Sequence, residues 1–138
     1  IEEFCLRQDS AGPGTWRGGL GFEKQYVILA PCKLWANFDR VGCPPWGVQG
    51  GKEAKAGQVL IIKKGTQEPQ VIYKTENFVL GMGDRVRVAT GGGGGYGPPS
   101  KRPIELVERD VLQGYVSSEK AREDYGVVVE SNGKAYRL

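Results

Sequence analysis

Asp84-Arg85-Val86-Arg87-Val88-Ala89-Thr90, running into the five glycines Gly91 to Gly95 and then Tyr96-Gly97-Pro98-Pro99, is the stretch that decides the fold. Its first half alternates cleanly. A strand's side chains point to opposite faces in turn, so Val86 and Val88 are predicted to face inward, and Arg85 and Arg87 to face water or a partner. Gly81-Met82-Gly83-Asp84 before it supplies a tight turn. Working outward, 25–30, 33–38, 58–63, 70–74 and 77–80 are short runs rich in Val, Ile, Leu, Tyr or Phe and bounded by Gly or Pro. They read as strands, and a first strand is expected to carry Cys5. Beyond the glycine run the period changes. Pro103 opens a helix in which Ile104, Val107, Val111 and Leu112 recur at helical spacing up to Gly114. A second short helix takes Ser117 or Ser118 as its N-cap, Glu119 in its first turn and Gly126 as its terminator. Val127 to Glu130 then reads as a strand, turning at Ser131-Asn132-Gly133 into Lys134 to Leu138. The predicted fold is mainly β with two short helices near the C-terminus (α+β), in a single domain over 1–138.

The chain has 138 residues, 19 basic and 16 acidic side chains, 22 glycines, three cysteines and no histidine. A chain of this size buries roughly 68–70% of its unfolded surface and needs neither disulfide nor metal merely to fold. The lack of histidine removes the commonest general base and every Ser-His-Asp or Cys-His mechanism from this chain. Net charge is +2 over residues 1–69 and +1 over residues 70–138. That evenness leaves no basic stripe, which argues against a nucleic-acid partner. No apolar run approaches the ~18 residues of a membrane span, and no leader peptide is read. A soluble, cytoplasmic protein without disulfides is expected.

The glycine run lacks the Lys and Ser/Thr that would close a phosphate loop. Ordering five glycines costs entropy without packing gain unless another backbone lies against them. Two readings remain: a turn without function, or a closely packed interface anchored by Tyr96. Residues 7–21 are as glycine-dense; there Asp9 and Ser10 can cap a turn, and Arg7 or Arg17 can pair with Asp9 or reach an anion. Trp16, Trp35 and Trp46 are either core residues or interface anchors. Cys5, Cys32 and Cys43 either fill small apolar sites or, with Asp39 as oxygen donor, make a zinc site; their spacing contains no paired knuckle.

Arg7 to Gly14 with Arg17 to Gly21, then Pro44-Pro45-Trp46-Gly47 with Gly50-Gly51, then Gly91 to Pro98 and Asp110 to Gly126, occur in a familiar order. Together they resemble the C-terminal region of the hydantoinase B / oxoprolinase family, which includes large subunits of acetone and acetophenone carboxylases. The resemblance implies part of a larger hydantoinase B-like fold. It also implies a small accessory subunit of an ATP-dependent ketone carboxylase of the acetophenone carboxylase type, not catalytic alone. Larger hydantoinase A-like and B-like partners would carry ATP and magnesium in a hetero-oligomer. A subunit of a hydantoinase- or oxoprolinase-type cyclic-amide hydrolase is the alternative, and a free-standing zinc-binding module is a second. No catalytic or cofactor-binding residue transfers onto this chain.

Overall fold

The computed structural model describes residues 1–130 and 132–138. In chain order its strands are β1 (Glu3–Leu6), β2 (Phe22–Val27), β3 (Cys32–Asn37), β4 (Gln58–Ile62), β5 (Gln70–Ile72), β6 (Lys74–Leu80) and β7 (Arg85–Ala89). Helices α1 (Ile104–Leu112) and α2 (Ser118–Tyr125) follow, then β8 (Val127–Val129) and β9 (Ala135–Arg137). The α+β reading stands, and no described helix is long and apolar enough to cross a membrane.

β7 lies at the centre of a five-stranded antiparallel sheet of order β1-β2-β7-β4-β5. Val86 sits between Tyr26 and Ile61, and Val88 between Lys24 and Val59, so the alternation of β7 propagates across its neighbours. β3 and β6 leave this sheet and pair only with each other. They lay Leu34, Phe78 and Leu80 over Val59, Ile61, Ile72 and Val86, and this layer contact is the first core. On the opposite face Arg85 holds Glu2 at 3.0 and 3.1 Å, and Arg87 pairs with Glu23. The arginines therefore meet carboxylates of the same chain.

The second core gathers Val107, Val116, Ala121, Tyr125 and Val127 from the two helices, their connection and the β8–β9 hairpin. Its local chemistry follows the capping rules. Ser117 Oγ accepts the Lys120 amide at 3.2 Å, and Gly126 closes α2 in the left-handed region at φ 65°. In the last turn the Asn132 side chain accepts the Lys134 amide at 2.8 Å and Gly133 has φ 84°; Ser131 lies outside the described residues.

One carboxylate fastens the turn that feeds β7. Asp84 accepts the amides of Gly81 and Lys64, each at 2.9 Å, and the Lys63 ammonium at 2.8 Å. The Lys63 bond first, then the two amides, draws its pKa down from 3.8 to about 2. The folded state favours the ionised form, so this stability is complete above about pH 4 and is lost as the pH falls toward 2. Thermal unfolding is expected to show a falling melting temperature across that window, and Asp84→Asn a visibly flatter one. An unchanged acid limb in the variant would show that other carboxylates set it.

Candidate interaction surface

Between the two cores, three glycine-rich segments run together: residues 10–21, 46–55 and 91–97. Each bonds to both of the others. The Gly12 amide donates to the Gly93 carbonyl at 2.8 Å, Lys52 to Pro13 at 2.7 Å, and Gly95 to Lys52 at 3.0 Å. Val48 donates to Gly95 at 2.8 Å, and Trp16 and Tyr96 exchange bonds of 3.0 and 2.9 Å. Three backbones thus share one axis, and a side chain there would displace one of them, as at the axis of a collagen triple helix. A Cβ on Gly12 would come within 2.5 Å of the Gly95 nitrogen, and one on Gly14 within 2.6 Å of the Tyr96 nitrogen. On Gly94 it would overlap the Trp46 carbonyl oxygen, and on Gly51 the Gly95 carbonyl. The close packing expected of the glycine run is real, but the backbone it meets is the chain's own.

Side chains lock the ends of this mesh. Ser10, fully buried, donates to the Arg7 carbonyl at 2.6 Å and accepts the Gly21 amide at 2.9 Å. Arg7 donates to the carbonyls of Ala56 at 2.7 Å and Thr90 at 3.0 Å. Asp9 takes neither arginine. Its carboxylate accepts the Ser117 amide at 2.8 Å, its own amide donates to Tyr115 at 3.0 Å, and it holds φ 57° to do both. Arg17 crosses instead to Asp110, at 2.9 and 3.2 Å, and Arg102 reaches the same carboxylate at 2.9 Å. Asp110 is 1% exposed. One buried carboxylate therefore ties the mesh to α1 and to the turn before it.

The outward product of the mesh is a row of large side chains. Trp16 and Val48 flank Tyr96 as directly paired residues, and paired positions share a face. They are 65%, 48% and 54% exposed. Trp46 and Trp35 are also exposed, the former with the Arg40 guanidinium 4.8 Å from its ring centroid. The tryptophans belong to the surface and not to the core. Tyr96 anchors the glycine run through its backbone, leaving its ring free.

A cleft of about 440 Å³ opens beside the mesh, lined among others by Asp9, Lys52, Lys120, Asp124 and Tyr125. Lys52 pairs with Asp124 at 2.7 Å and Lys120 with Glu123 at 2.8 Å. Burial, first among several causes, pushes the Tyr125 phenol up to about 12, so it stays protonated at neutral pH.

The four residues proposed for zinc do not converge. Cys5 lies on β1, its side chain on the face of Glu23 and Ala89, whereas Cys32 opens β3 in the layer covering the opposite face. Strand alternation alone separates them. Cys43 and Asp39 lie in the loop after β3. All three thiols are free and exposed, and no group of three or more Cys, Asp or Glu among the described residues could hold a metal. Cys5 donates to a Glu3 carboxylate oxygen at 3.6 Å. Desolvation, then that carboxylate, raises its pKa, the reverse of what a thiolate ligand requires. The residues present do not fit a zinc ion.

The model of the hydantoinase B/oxoprolinase family matches residues 1–99. The chain belongs to the hydantoinase B/oxoprolinase family. It is 40% identical to an uncharacterized protein of Methanocaldococcus jannaschii over 94% of its own length and 23% of that protein's. It is 34% identical to the caprolactamase subunit beta of Pseudomonas jessenii, over 97% of this chain and 24% of that one. The crystal structure of that ATP-dependent caprolactamase superposes with a TM-score of 0.82 at 28% identity, again over 97% and 24% of the two chains. Acetone carboxylase in its nucleotide-free structure shares the fold at a TM-score of 0.67 and 21% identity, over 96% of this chain and 22% of that one. The chain spans about a quarter of the length of these relatives.

Two substitutions separate the mesh from ordinary loops. Gly94→Ala is expected to cost ~2 kcal/mol, because its Cβ would overlap the Trp46 carbonyl and the flanking Gly93, Gly95 and Val48 are held by backbone bonds; Gly42→Ala, whose Cβ meets nothing within 4 Å, is expected to be neutral or slightly stabilising. Chemical denaturation of the two variants measures this. Asp110→Asn leaves Arg17 and Arg102 facing each other without their shared counter-charge, at an expected cost of ~3 kcal/mol. A loss below 1 kcal/mol in the same measurement would remove the triad from the list of essential ties.

Proposed function

We propose that this chain is the non-catalytic, framework portion of a hydantoinase B-like body within an ATP-dependent multi-subunit assembly. The observation that carries this reading is the Trp16–Tyr96–Val48 row. A rigid glycine backbone, costly to order, displays three large apolar side chains to solvent, and aromatic groups held this way are the usual anchors of protein interfaces. In this reading, activation by ATP and magnesium belongs to hydantoinase A-like partners. The covered share of the relatives, about a quarter, supports a piece that completes a larger polypeptide.

For the chemistry of the assembly, ATP-dependent opening of a cyclic amide comes first. It is supported by the likeness to caprolactamase in both sequence and structure. Carboxylation of a ketone, of the acetophenone carboxylase type, is the second reading and is supported by the fold shared with acetone carboxylase. Coexpression of the chain with its larger hydantoinase A-like and B-like polypeptides is expected to give one stable complex. In that complex, ATP hydrolysis stimulated by a lactam or hydantoin supports ring opening, and bicarbonate-dependent hydrolysis with a ketone supports carboxylation. A chain that stays a monodisperse monomer in the presence of those polypeptides would overturn the framework reading.

A further inference from the structure

The five-stranded sheet ends at β1, and the ladder geometry there is informative. The Arg7 amide donates to the Gly21 carbonyl at 2.8 Å, on the β1 side of β2. The Phe22 carbonyl accepts the Thr90 amide at 2.9 Å, on the β7 side. Antiparallel pairs alternate between residues that bond inward and residues that bond outward. Odd-numbered residues of β1 therefore bond to β2, and the N–H and C=O groups of Phe4 and Leu6 point away from the sheet. The same two residues carry the apolar side chains of the strand, 64% and 55% exposed, and every residue of β1 is exposed. Their side chains continue the inner face of the sheet. Phe4 pairs with Lys24, which pairs with Val88, and Leu6 pairs with Phe22; the Phe4 and Phe22 rings meet edge-to-face at 5.5 Å. The β3–β6 layer covers Val59, Ile61 and Val86 but stops short of this end.

A sheet edge normally protects itself with proline, lysine, a bulge, shortness or a covering element. β1 carries no proline, lysine or bulge: its sequence is Glu-Phe-Cys-Leu, four residues paired in continuous register with β2, with the Lys24 ammonium of that neighbour 4.6 Å from the Phe4 ring centroid. Outward backbone groups and exposed apolar side chains on the same two residues form a template for one more strand.

We infer that β1 accepts an extended strand from the remaining hydantoinase B-like polypeptide, with apolar residues at alternate positions that pair with Phe4 and Leu6 and roof Phe22. This rests on the framework reading. What selects the occupant is size: the region matched here is 24% of the caprolactamase chain, and the larger share is available to extend the sheet. A second copy of this chain is the competing occupant. Self-pairing of Phe4 with Leu6 would set Cys5 opposite Cys5 as a pair without ladder bonds, at a Cα separation of about 4.5 Å, within reach of a disulfide.

The test uses the chain coexpressed with the rest of its hydantoinase B-like polypeptide. Amide hydrogen exchange at Phe4 and Leu6 is expected to slow at least 100-fold on assembly. Leu6→Pro removes only an outward donor and fits an edge strand. It is expected to leave the thermal unfolding of the free chain unchanged and to weaken assembly at least tenfold. Phe4→Lys, which keeps every backbone bond, is expected to weaken it similarly. If wild-type chain assembles while both variants bind equally well and the two amides stay unprotected, the strand proposal is overturned and the framework reading survives. If wild-type chain fails to assemble, the framework reading itself falls and this inference with it. A Cys5–Cys5 disulfide formed on mild oxidation of the complex would assign the edge to a second copy and overturn the proposal.

Discussion

Backbone meets backbone at residues 12, 51 and 95 with no side chain between, and most of the molecule is arranged to keep it so. Three segments distant in sequence surrender their side chains to approach within hydrogen-bonding distance of one another. This contact contributes little apolar burial, so its stability comes from amides and carbonyls that satisfy one another across the three segments. The entropy lost by so many glycines is large. That explains why the ends are locked by strong, directional groups: Arg7 on two carbonyls, Ser10 on one carbonyl and one amide, and Asp110 between two arginines.

The consequence for function is geometric. Two small apolar cores lie on either side of the mesh, one built by the five-stranded sheet and the β3–β6 pair, the other by the helices and the last hairpin. Neither reaches across. The mesh is the joint between them, and Asp9 and Asp110 extend its reach into the helical part. A flexible joint would let the exposed aromatic row wander; a bonded backbone fixes it. Large side chains presented in this way lose little further freedom on binding, which is what a framework element needs to offer a partner.

Local structure was legible in the sequence because its causes are local. Ser117 and Gly126 bound α2 as their chemistry dictates, Gly81 to Asp84 make the expected turn, and Val86 faces inward. The family was legible from the order of the glycine-rich motifs, since their spacing is set by the mesh. Long-range pairing was not. Nothing in the stretch around Asp9 says that its carboxylate caps a helix 108 positions away, or that Arg17 crosses 93 positions to Asp110. The candidate zinc ligands lie apart for the same reason: residue types do not say that Cys5 and Cys32 take opposite sides of the sheet, or that Cys43 and Asp39 stay in a loop. The glycine run showed that a backbone must lie close, and composition cannot say whose.

This last point changes what the glycines mean. Had they been the docking surface itself, the partner would have to supply backbone of equal nakedness, and the isolated chain would have little reason to fold. Because the chain fills its own glycine axis, the demand on a partner is different and more ordinary. It needs apolar side chains to cover Trp16, Tyr96 and Val48. At the β1 edge of the sheet it needs one strand whose N–H and C=O groups answer those of Phe4 and Leu6. These two surfaces are built on different elements and use different physics, one side-chain burial and the other backbone bonding. A body large enough to meet both at once would gain from their linkage, the second contact forming at the high effective concentration set by the first.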